Sequence, residues 1–331
     1  MSTMSDVARE AGVSIMTVSR VATNSGYVKS VTKQKVLRAM NQVGYSPKHF
    51  ISAHHATLTL IVPDITNPFF TFIARGVEDI AQMMGYRVFL ANTDENIYKE
   101  NEYIDMCISL KTDGVIIVPV GDASKQHLIT LQKANIPFVL IDRQVSDIEA
   151  DLVKGNIGSA SYSLVSHLIQ LGHRRIALVT FSRNSDASRD RISGYLEALK
   201  YHGLNYDEQL IIESALTHPL DVRFLDDLLA MEKPPTAFFL ANSILYNQIF
   251  HALSEKNIRI PKDISIVSFG CNDTLISNSS IVTCAIQPAY DFGALGTQLL
   301  MERIRGKAVP TRKIILQADL QFRQSTAPIQ Q

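Results

Sequence analysis

The segment from residue 14 to residue 20 carries side chains that can contact a nucleic acid. Ser14, Thr17 and Ser19 offer hydroxyl groups to phosphates or to base edges. The guanidinium of Arg20 can reach a guanine edge or a phosphate. These residue types indicate a DNA-binding surface, provided that one helix presents them together.

Ile15 and Met16 lie among these polar residues and have two interpretations. At the exposed tip of a recognition helix, they could contact the methyl groups of thymine by apolar packing. Alternatively, they belong to the core of a small helical bundle, and the nearby lysines form a solvated face. Spacing alone gives the two interpretations about equal weight.

Three short helices are predicted to position these side chains. Thr3 and Asp6 have the spacing of a capping box at the start of the first helix, and Gly12 ends that helix. The second helix runs from about residue 14 to residue 22, and the third from about residue 30 to residue 43. The first two helices are joined by a tight turn at residues 12–14. This is the geometry of a helix-turn-helix, whose second helix enters the major groove.

The charge of the chain is unevenly distributed. The 331 residues include 32 basic and 32 acidic ones, so the net charge is zero. Residues 1–50 hold seven basic and two acidic residues, a net charge of +5, which leaves 25 basic and 30 acidic residues, a net charge of −5, for the remainder. A basic head on an acidic body is typical of a nucleic-acid-binding module joined to another domain.

The sequence predicts a cytoplasmic protein. The amino terminus has no basic stretch leading into an apolar one, and the longest apolar runs are far below the about 20 residues of a membrane span. Three widely spaced cysteines form no CxxC motif, which favours buried reduced thiols over a disulfide or a zinc site: Cys107, Cys271 and Cys284.

From residue 58 onward, short apolar runs alternate with helical stretches. The predicted strands are 58–62, 86–91, 114–119, 137–141, 175–180, 209–213, 236–241 and 264–269. Uninterrupted apolar runs are typical of parallel strands buried on both faces. The pattern occurs twice with a break near residues 150–175, which predicts an α/β fold: an all-α helix-turn-helix head followed by two doubly wound parallel-sheet lobes. Ligands of such sheets bind at the carboxyl ends of the strands, here in the cleft between the lobes.

No catalytic motif is present in the sequence. It contains no GxGxxG, GxxxxGK[ST] or GxSxG pattern, and its histidines lack HExxH spacing. We therefore expect neither an enzyme nor a bound cofactor or metal. A Rossmann-type dehydrogenase and a sugar kinase are disfavoured for the same reason.

The stretches DVAREAGVSIMTVSRVATNSGYV and TKQKVLRAMNQVGYSP closely resemble the DNA-binding head of the LacI/GalR family of bacterial transcription regulators, from Met4 to Pro47. The resemblance implies that the second helix enters the major groove with Ile15, Met16 and Arg20 closest to the bases. It also implies contacts on the phosphate side by Thr3, Ser14, Ser19, Tyr27, Lys29 and Thr32.

The hinge departs from the family pattern. The family has an Ala-Arg-Ser-Leu-like stretch that wedges a leucine into DNA, whereas this chain reads HFISAHHAT over residues 49–57, with His54 in the place of that leucine. His54 is either a partial cation in the minor groove or part of a solvated linker, and the second alternative is favoured. The predicted domains are a DNA-binding head (1–47), a hinge (48–57) and an effector-binding and dimerisation domain (58–331).

The resemblance to the same family continues through VPDITNPFF (62–70), LIDR (140–143), RDRISGYLEAL (189–199) and PTAFFLAN (235–242). It implies a periplasmic-binding-protein-like sensor that binds a small effector between its lobes. By matching positions, Phe69 and Phe70 would form an apolar wall, and Arg191 would donate a charge-assisted hydrogen bond to the effector. Asn242 and Arg143 also match cleft positions. Arg143 has the alternative of a surface charge beside a turn.

One departure in the second lobe bears on the effector. The family commonly has an aspartate after the Ser-Phe of its eighth strand, where this chain has Gly270, with Asp273 three residues later. A cleft that loses an anion but keeps Arg191, together with Arg143, Arg183 and Arg189, predicts an anionic effector such as a sugar acid or sugar phosphate. The alternative is that Asp273 replaces the missing carboxylate and binds a neutral sugar.

The resemblance implies a repressor that binds a near-palindromic double-stranded operator as a homodimer under the control of a carbohydrate or sugar-acid effector. No C-terminal heptad segment follows QFRQST, which favours a dimer over a tetramer. A free solute-binding protein of the same two-lobed fold would need a signal peptide and no helix-turn-helix. A regulator with an impaired hinge is a further alternative.

Overall fold

The chain forms two units, residues 1–56 and residues 57–331. The computed structural model describes residues 3–22, 28–45, 56–181, 183, 185–214, 221–270, 281–306 and 309–329. Tyr27, His54 and Asp273 lie outside these ranges, as does most of the predicted hinge.

The first unit contains the three predicted helices: α1 (Met4–Ala11), α2 (Ile15–Ala22) and α3 (Ser30–Gln42). The capping box is present, because the backbone N–H of Asp6 donates to Thr3 Oγ1 at 3.3 Å and the Asp6 carboxylate accepts from the backbone N–H of Thr3 at 2.9 Å. Gly12 ends α1 at φ +60°, a conformation that glycine adopts without strain. Buried residues of all three helices, among them Val7, Val18 and Val36, form one core.

The first lobe of the second unit is a six-stranded parallel sheet with helices on both faces. Its strands are β1 (Thr57–Val62), β2 (Arg87–Asn92), β3 (Gly114–Ile117), β4 (Phe138–Ile141), β5 (Asp151–Gly155) and β11 (Lys313–Leu316). Its helices are α4 (Pro68–Met83), α5 (Ile97–Leu110), α6 (Lys125–Lys133) and α11 (Ala289–Ile304). The strand order is β11-β5-β4-β3-β1-β2, which leaves β2 at one edge.

The second lobe repeats this arrangement. Its strands are β6 (Ile176–Phe181), β7 (Ile211–Ser214), β8 (Ala237–Leu240), β9 (Ser265–Phe269), β10 (Thr283–Ile286) and β12 (Asp319–Gln321). Its helices are α7 (Ile157–Gln170), α8 (Asp186–Tyr201), α9 (Phe224–Leu229) and α10 (Ser243–Glu255). The order is β12-β10-β9-β8-β6-β7, with only β12 antiparallel to its neighbour. The predicted fold class and all eight predicted strands are confirmed.

The chain passes between the lobes three times, after β5, β10 and β11. The first crossing lies at the break predicted near residues 150–175, and the other two were not predicted. Asn156 joins the first and third crossings: its Nδ2 donates to Gln317 Oε1 at 2.5 Å and its Oδ1 accepts from the backbone N–H of Ala318 at 2.7 Å. The crossings are therefore tied to each other by hydrogen bonds.

Glycines allow the helices of the first lobe to pack closely. A Cβ at Gly76 of α4 would lie 2.1 Å from the backbone oxygen of Tyr290, and one at Gly293 of α11 would lie 2.1 Å from that of Ile73. Both distances are far below van der Waals contact, so only glycine fits where α4 and α11 cross.

The prediction of reduced thiols is confirmed for Cys107, which is buried and free, and is wrong for Cys284, which is disulfide-bonded. Cys284 lies on β10 opposite Ser268 of β9. Cys271 lies outside the described residues. Over the part of the chain that the structure describes, no helix is long and apolar enough to cross a membrane.

Candidate functional site

The first turn of α2 presents Ile15 and Met16 outward, with 53% and 66% of their surfaces exposed. Neither belongs to the core of the first unit, which α2 joins through Val18, Val21 and Ala22. The interpretation of Ile15 and Met16 as bundle core is therefore wrong: both are exposed, and their contact with DNA stays a prediction.

The hydroxyl groups of this segment are partly engaged within the helix. Ser14 Oγ accepts from the backbone N–H of Thr17 at 3.2 Å and lies 2.9 Å from Thr17 Oγ1, so Ser14 caps the start of α2. Ser19 is half-buried, whereas Arg20 is exposed one turn after Met16. Ile15, Met16 and Arg20 are thus the long side chains that α2 presents to a partner.

The remaining residues expected on the phosphate side are placed individually. Thr3 is exposed at the start of α1, Lys29 is exposed just before α3, and Thr32 is half-buried in the first turn of α3. Each lies at or beside a helix amino terminus, where backbone N–H groups and the helix dipole favour a phosphate.

Phe69 and Phe70 differ in their placement at the start of α4. Phe70 is buried in the core of the first lobe. Phe69 is half-buried, and its ring lies edge-on to Phe292 with 5.6 Å between the centroids. Phe69 can therefore present a ring to a ligand, whereas Phe70 supports it from the core.

Arg143 is held by the first lobe itself. Its guanidinium forms a bidentate pair with Glu95 at 2.5 and 2.7 Å, and Nη1 also donates to the carbonyl oxygens of Pro119 and Val120 at 3.1 Å. Only Nε has no hydrogen-bond partner among the described residues. Arg143 thus fixes the loops after β2 and β3, and most of its donors are engaged.

Arg191 and Asp142 are charged residues from opposite lobes that act on each other electrostatically. Arg191, on α8 of the second lobe, lies with its guanidinium carbon 5.0 Å from the ring centroid of Phe269, at the end of β9. Asp142 directly follows β4 of the first lobe, with φ +64° and a buried carboxylate. Within the described residues, Arg191 Nε and Asp142 Oδ1 are both buried without a hydrogen-bond partner.

Burial and the opposite charge act in opposite directions on the pKa of each residue of this pair. Burial raises the pKa of the Asp142 carboxyl above its usual range, with the charges of Arg143 and Arg191 opposing that change. Burial lowers the pKa of the Arg191 guanidinium, and Asp142 opposes that change in turn. Asp142 was not among the predicted residues, although an acidic residue directly after a buried parallel strand is a signal of a ligand site.

Asn242, which is predicted to line the cleft, has a structural role. It is the N-cap of α10, and its Oδ1 accepts from the backbone N–H of Leu245 at 2.9 Å. The oxygen is thereby engaged, so a ligand would meet its amide nitrogen.

Ion pairs join the two lobes beside this cleft. Lys154 of β5 donates to Asp186 at 2.7 Å and Asp190 at 2.8 Å, both on α8. Arg189 of α8 lies 3.0 Å from Asp122 of the first lobe. Lys154, Asp186, Asp190 and Arg189 line a cavity of about 470 Å³ near the first crossing.

These pairs alter the expected charge of the cleft. Arg143 is paired with Glu95, Arg189 with Asp122, and Arg183 with Glu213 at 2.5 Å. Each arginine that supported an anionic effector, apart from Arg191, is therefore neutralised by a carboxylate.

The edge of the first lobe carries exposed apolar side chains. On β2, Phe89 and Leu90 are 53% and 52% exposed, and Phe72 and Met83 of α4 are also exposed. We call Phe72, Met83, Phe89 and Leu90 the edge patch. Apolar groups clustered at an open sheet edge are typical of a protein–protein interface.

Comparison with known proteins gives matches in both units. Residues 3–48 match the family of bacterial regulatory proteins described as the lacI family, and residues 165–326 match a periplasmic binding protein-like domain. Over 329 residues, the chain is 31% identical to catabolite control protein A of Priestia megaterium, covering 98% of this chain and 99% of that protein.

Two further proteins are similar over nearly the whole chain. The ribose operon repressor of Halalkalibacterium halodurans is 32% identical over 335 residues, which cover 98% of this chain and 97% of that protein. A solved complex of the transcriptional regulator CelR with cellobiose is 26% identical with a TM-score of 0.74, covering 98% of this chain and 100% of that one. With a helix-turn-helix head, two α/β lobes and relatives that match from end to end, the chain belongs to the LacI family and is a DNA-binding transcriptional regulator.

Proposed function

We propose that the protein is a cytoplasmic repressor that binds a near-palindromic operator as a homodimer and responds to a sugar bound between its lobes. Residues 1–47 form the DNA-binding head, residues 48–57 the hinge, and residues 58–331 the effector-binding and dimerisation domain. The observation that carries the proposal is the outward placement of Ile15, Met16 and Arg20 on α2, in a chain that also contains a two-lobed cleft.

The unpartnered groups of the cleft support a polyhydroxylated effector. Asp142 Oδ1 is a buried acceptor that needs a donor, and Arg191 Nε is a buried donor that needs an acceptor. A sugar hydroxyl both donates and accepts, so neighbouring hydroxyls of one sugar can satisfy both groups. Phe69 offers a ring face for the apolar side of the sugar.

The same groups favour a neutral sugar over a sugar acid. The hydroxyls of a sugar acid could also donate to Asp142, but a carboxylate that pairs with Arg191 would lie near Asp142 and be repelled by its charge. The other nearby arginines are already paired and offer little compensation. We therefore propose a neutral sugar as the effector, with a sugar acid as the second candidate. The similar CelR structure is a complex with cellobiose, which supports this order.

The edge patch supports the homodimer. In a two-fold dimer, the same surface of each subunit meets its copy, so the apolar β2 edge and the exposed side chains of α4 would cover one another. Two heads carried on a two-fold body read two inverted half-sites, which is why the operator is expected to be a near-palindrome.

The DNA-binding function is tested by selecting binding sites from random duplex DNA with the purified full-length protein. We expect enrichment of one near-palindromic motif, whose affinity falls steeply with added salt because phosphate contacts release counterions. The variant Arg20→Ala should lose the motif, whereas Arg259→Ala, an exposed change in the second lobe, should retain it. Selection that enriches no motif, with or without sugars present, would contradict the proposed function.

The effector is tested by calorimetric titration with a panel of neutral sugars and the corresponding sugar acids. We expect one neutral sugar to bind, and Arg191→Lys to weaken it about 10- to 100-fold, because the Nε donor and the planar fork are lost. Arg259→Lys is the matched control and should leave the affinity unchanged. If only sugar acids bind, the effector is a sugar acid and not a neutral sugar. If the sugar binds Arg191→Lys with unchanged affinity, Arg191 does not contact the effector.

A further inference from the structure

Lys154 is a buried lysine that joins the first lobe to the helix that carries Arg191. It lies on β5, and only 8% of its side chain is exposed. Its ammonium group donates to the carboxylates of Asp186 at 2.7 Å and Asp190 at 2.8 Å, both in the first two turns of α8. A buried cation that is shared between two carboxylates of the opposite lobe ties the two lobes together.

Both ends of this contact are anchored within their own lobes. Lys154 lies on an inner strand, because β5 pairs with β4 on one side and with β11 on the other. In the second lobe, α8 packs closely on α7: a Cβ at Gly194 would lie 2.2 Å from the backbone oxygen of Gly158. Buried residues of both helices also belong to the core of that lobe. We therefore expect α8 to move with its lobe, so that the contact with Lys154 restrains the lobe as a whole.

The charges at this contact also act on Arg191 and Asp142. Burial acts to lower the pKa of Lys154, but its hydrogen bonds to Asp186 and Asp190 outweigh burial and hold the pKa above its usual value, so the ammonium group stays charged. Burial raises the pKa of Asp142, and the charge of Lys154 is among those that oppose this change. Burial lowers the pKa of Arg191, and the charges of Asp190 and Asp186 are among those that oppose it. These five residues form one electrostatic network that spans both lobes.

We propose that Lys154 is a positioning residue, which holds Arg191 of the second lobe near Asp142 of the first lobe before an effector binds. It acts through Asp190, the residue next to Arg191, and through Asp186 one turn earlier. This inference rests on the proposed effector-binding function and adds the residue that keeps the two halves of the effector site together. A site that is held together in advance binds more tightly, because binding then costs less conformational entropy.

The first measurement is how readily the two lobes are crosslinked in the full-length protein without sugar. Asp122 of the first lobe and Arg189 of α8 form an exposed ion pair at 3.0 Å, so a short bis-maleimide can join cysteines placed at both positions. An exposed pair stabilises little, and its removal leaves the Lys154 contact in place. We expect the parent variant Asp122→Cys/Arg189→Cys to crosslink within one chain, as followed by peptide mass spectrometry. Either cysteine alone gives the background.

In this parent variant, Lys154→Met should slow crosslinking about tenfold, because the two aspartates left without a cation gain hydration when the lobes separate. Asp190→Asn removes one of the two acceptors at a partly exposed position and should slow it about threefold. This milder change keeps the test available if Lys154→Met does not fold. Lys256→Met is the matched control, because Lys256 pairs with Asp226 within the second lobe, and it should crosslink at the parent rate.

The second measurement is titration with the panel of neutral sugars, which relates the lobe contact to the effector site. Lys154→Met should bind the sugar that the wild type binds about tenfold more weakly, because the site is no longer held together in advance. Lys154→Arg keeps the charge and should recover most of the affinity. Lys256→Met should bind the sugar with wild-type affinity.

The two failures are distinguishable. If a sugar binds the wild type, but Lys154→Met crosslinks at the parent rate or binds that sugar with unchanged affinity, the positioning role is overturned and the proposed effector-binding function stands. If no sugar or sugar acid binds the wild type, the proposed effector-binding function is overturned, and the positioning role with it.

Discussion

Replacing Phe89 by aspartate is expected to convert the proposed dimer into monomers and to weaken operator binding about 100- to 10,000-fold. Phe89 lies on the edge strand β2 and is 53% exposed, so a charge there is solvated in the monomer. In the dimer, the carboxylate would face apolar side chains of its copy without a partner, at a large desolvation cost.

The size of the effect follows from the linkage of two heads. A dimer delivers its second head at a high effective concentration, which raises affinity about 10²- to 10⁴-fold over a single head. Phe89→Asp should lose this factor without any change in the head itself. Sedimentation equilibrium measures the oligomeric state, and fluorescence anisotropy with the selected operator measures the affinity.

Tyr98→Asp is the matched control for this variant. Tyr98 is 80% exposed in the first turn of α5, where a negative charge suits the helix dipole, and it lies outside the edge patch. It should remain dimeric with unchanged operator affinity. A Phe89→Asp protein that sediments as a dimer would show that the subunits meet through another surface.

The strands predicted from sequence share one property, an uninterrupted apolar run. Four strands were not predicted: β5, β10, β11 and β12. In β5, Asp151 and Lys154 interrupt the apolar run, and both are buried as members of ion pairs. A pattern of apolar residues cannot reveal a buried charge whose partner is distant in sequence. The partner Arg303, for instance, is 152 residues from Asp151.

The candidate sites show the same limit. The helix-turn-helix could be predicted because capping residues, a glycine stop and the basic charge all lie within about 40 residues of sequence. The cleft is built from loops that meet only in the fold. The cleft was predicted to be electropositive because its arginines could be counted in the sequence. The carboxylates that pair with them could not be assigned, because they come from separate elements: Glu95, Asp122 and Glu213.

Asp151→Asn is expected to destabilise residues 57–331 by about 3–5 kcal/mol, the cost of breaking a buried ion pair. The Asp151 carboxylate is fully buried and accepts from Arg303 Nε at 2.8 Å and from the backbone N–H of Arg312 at 2.8 Å. An asparagine keeps the shape but leaves both guanidinium groups without their shared charge. Urea unfolding followed by circular dichroism measures the change.

The Asp151 carboxylate also makes the stability of the protein depend on pH. Burial acts to raise the pKa of Asp151, but hydrogen bonds from Arg303 and Arg312 outweigh it and hold the pKa below the unfolded value of 3.8. The contribution of Asp151 to the free energy of unfolding is therefore complete above the pKa of the unfolded state. It is lost as the pH falls through the pKa of the folded state. As the pH falls below the unfolded pKa of 3.8, the wild-type protein should lose stability more steeply than Asp151→Asn.

Asp263→Asn is the control for this prediction, because Asp263 also pairs with an arginine but is exposed on the surface of the second lobe. Solvent screens that pair, so its loss should change the unfolding midpoint little at neutral pH. If Asp151→Asn were no less stable than Asp263→Asn, the buried pair would contribute nothing beyond packing. In that case β5 would be held by its neighbours β4 and β11 alone, through backbone hydrogen bonds.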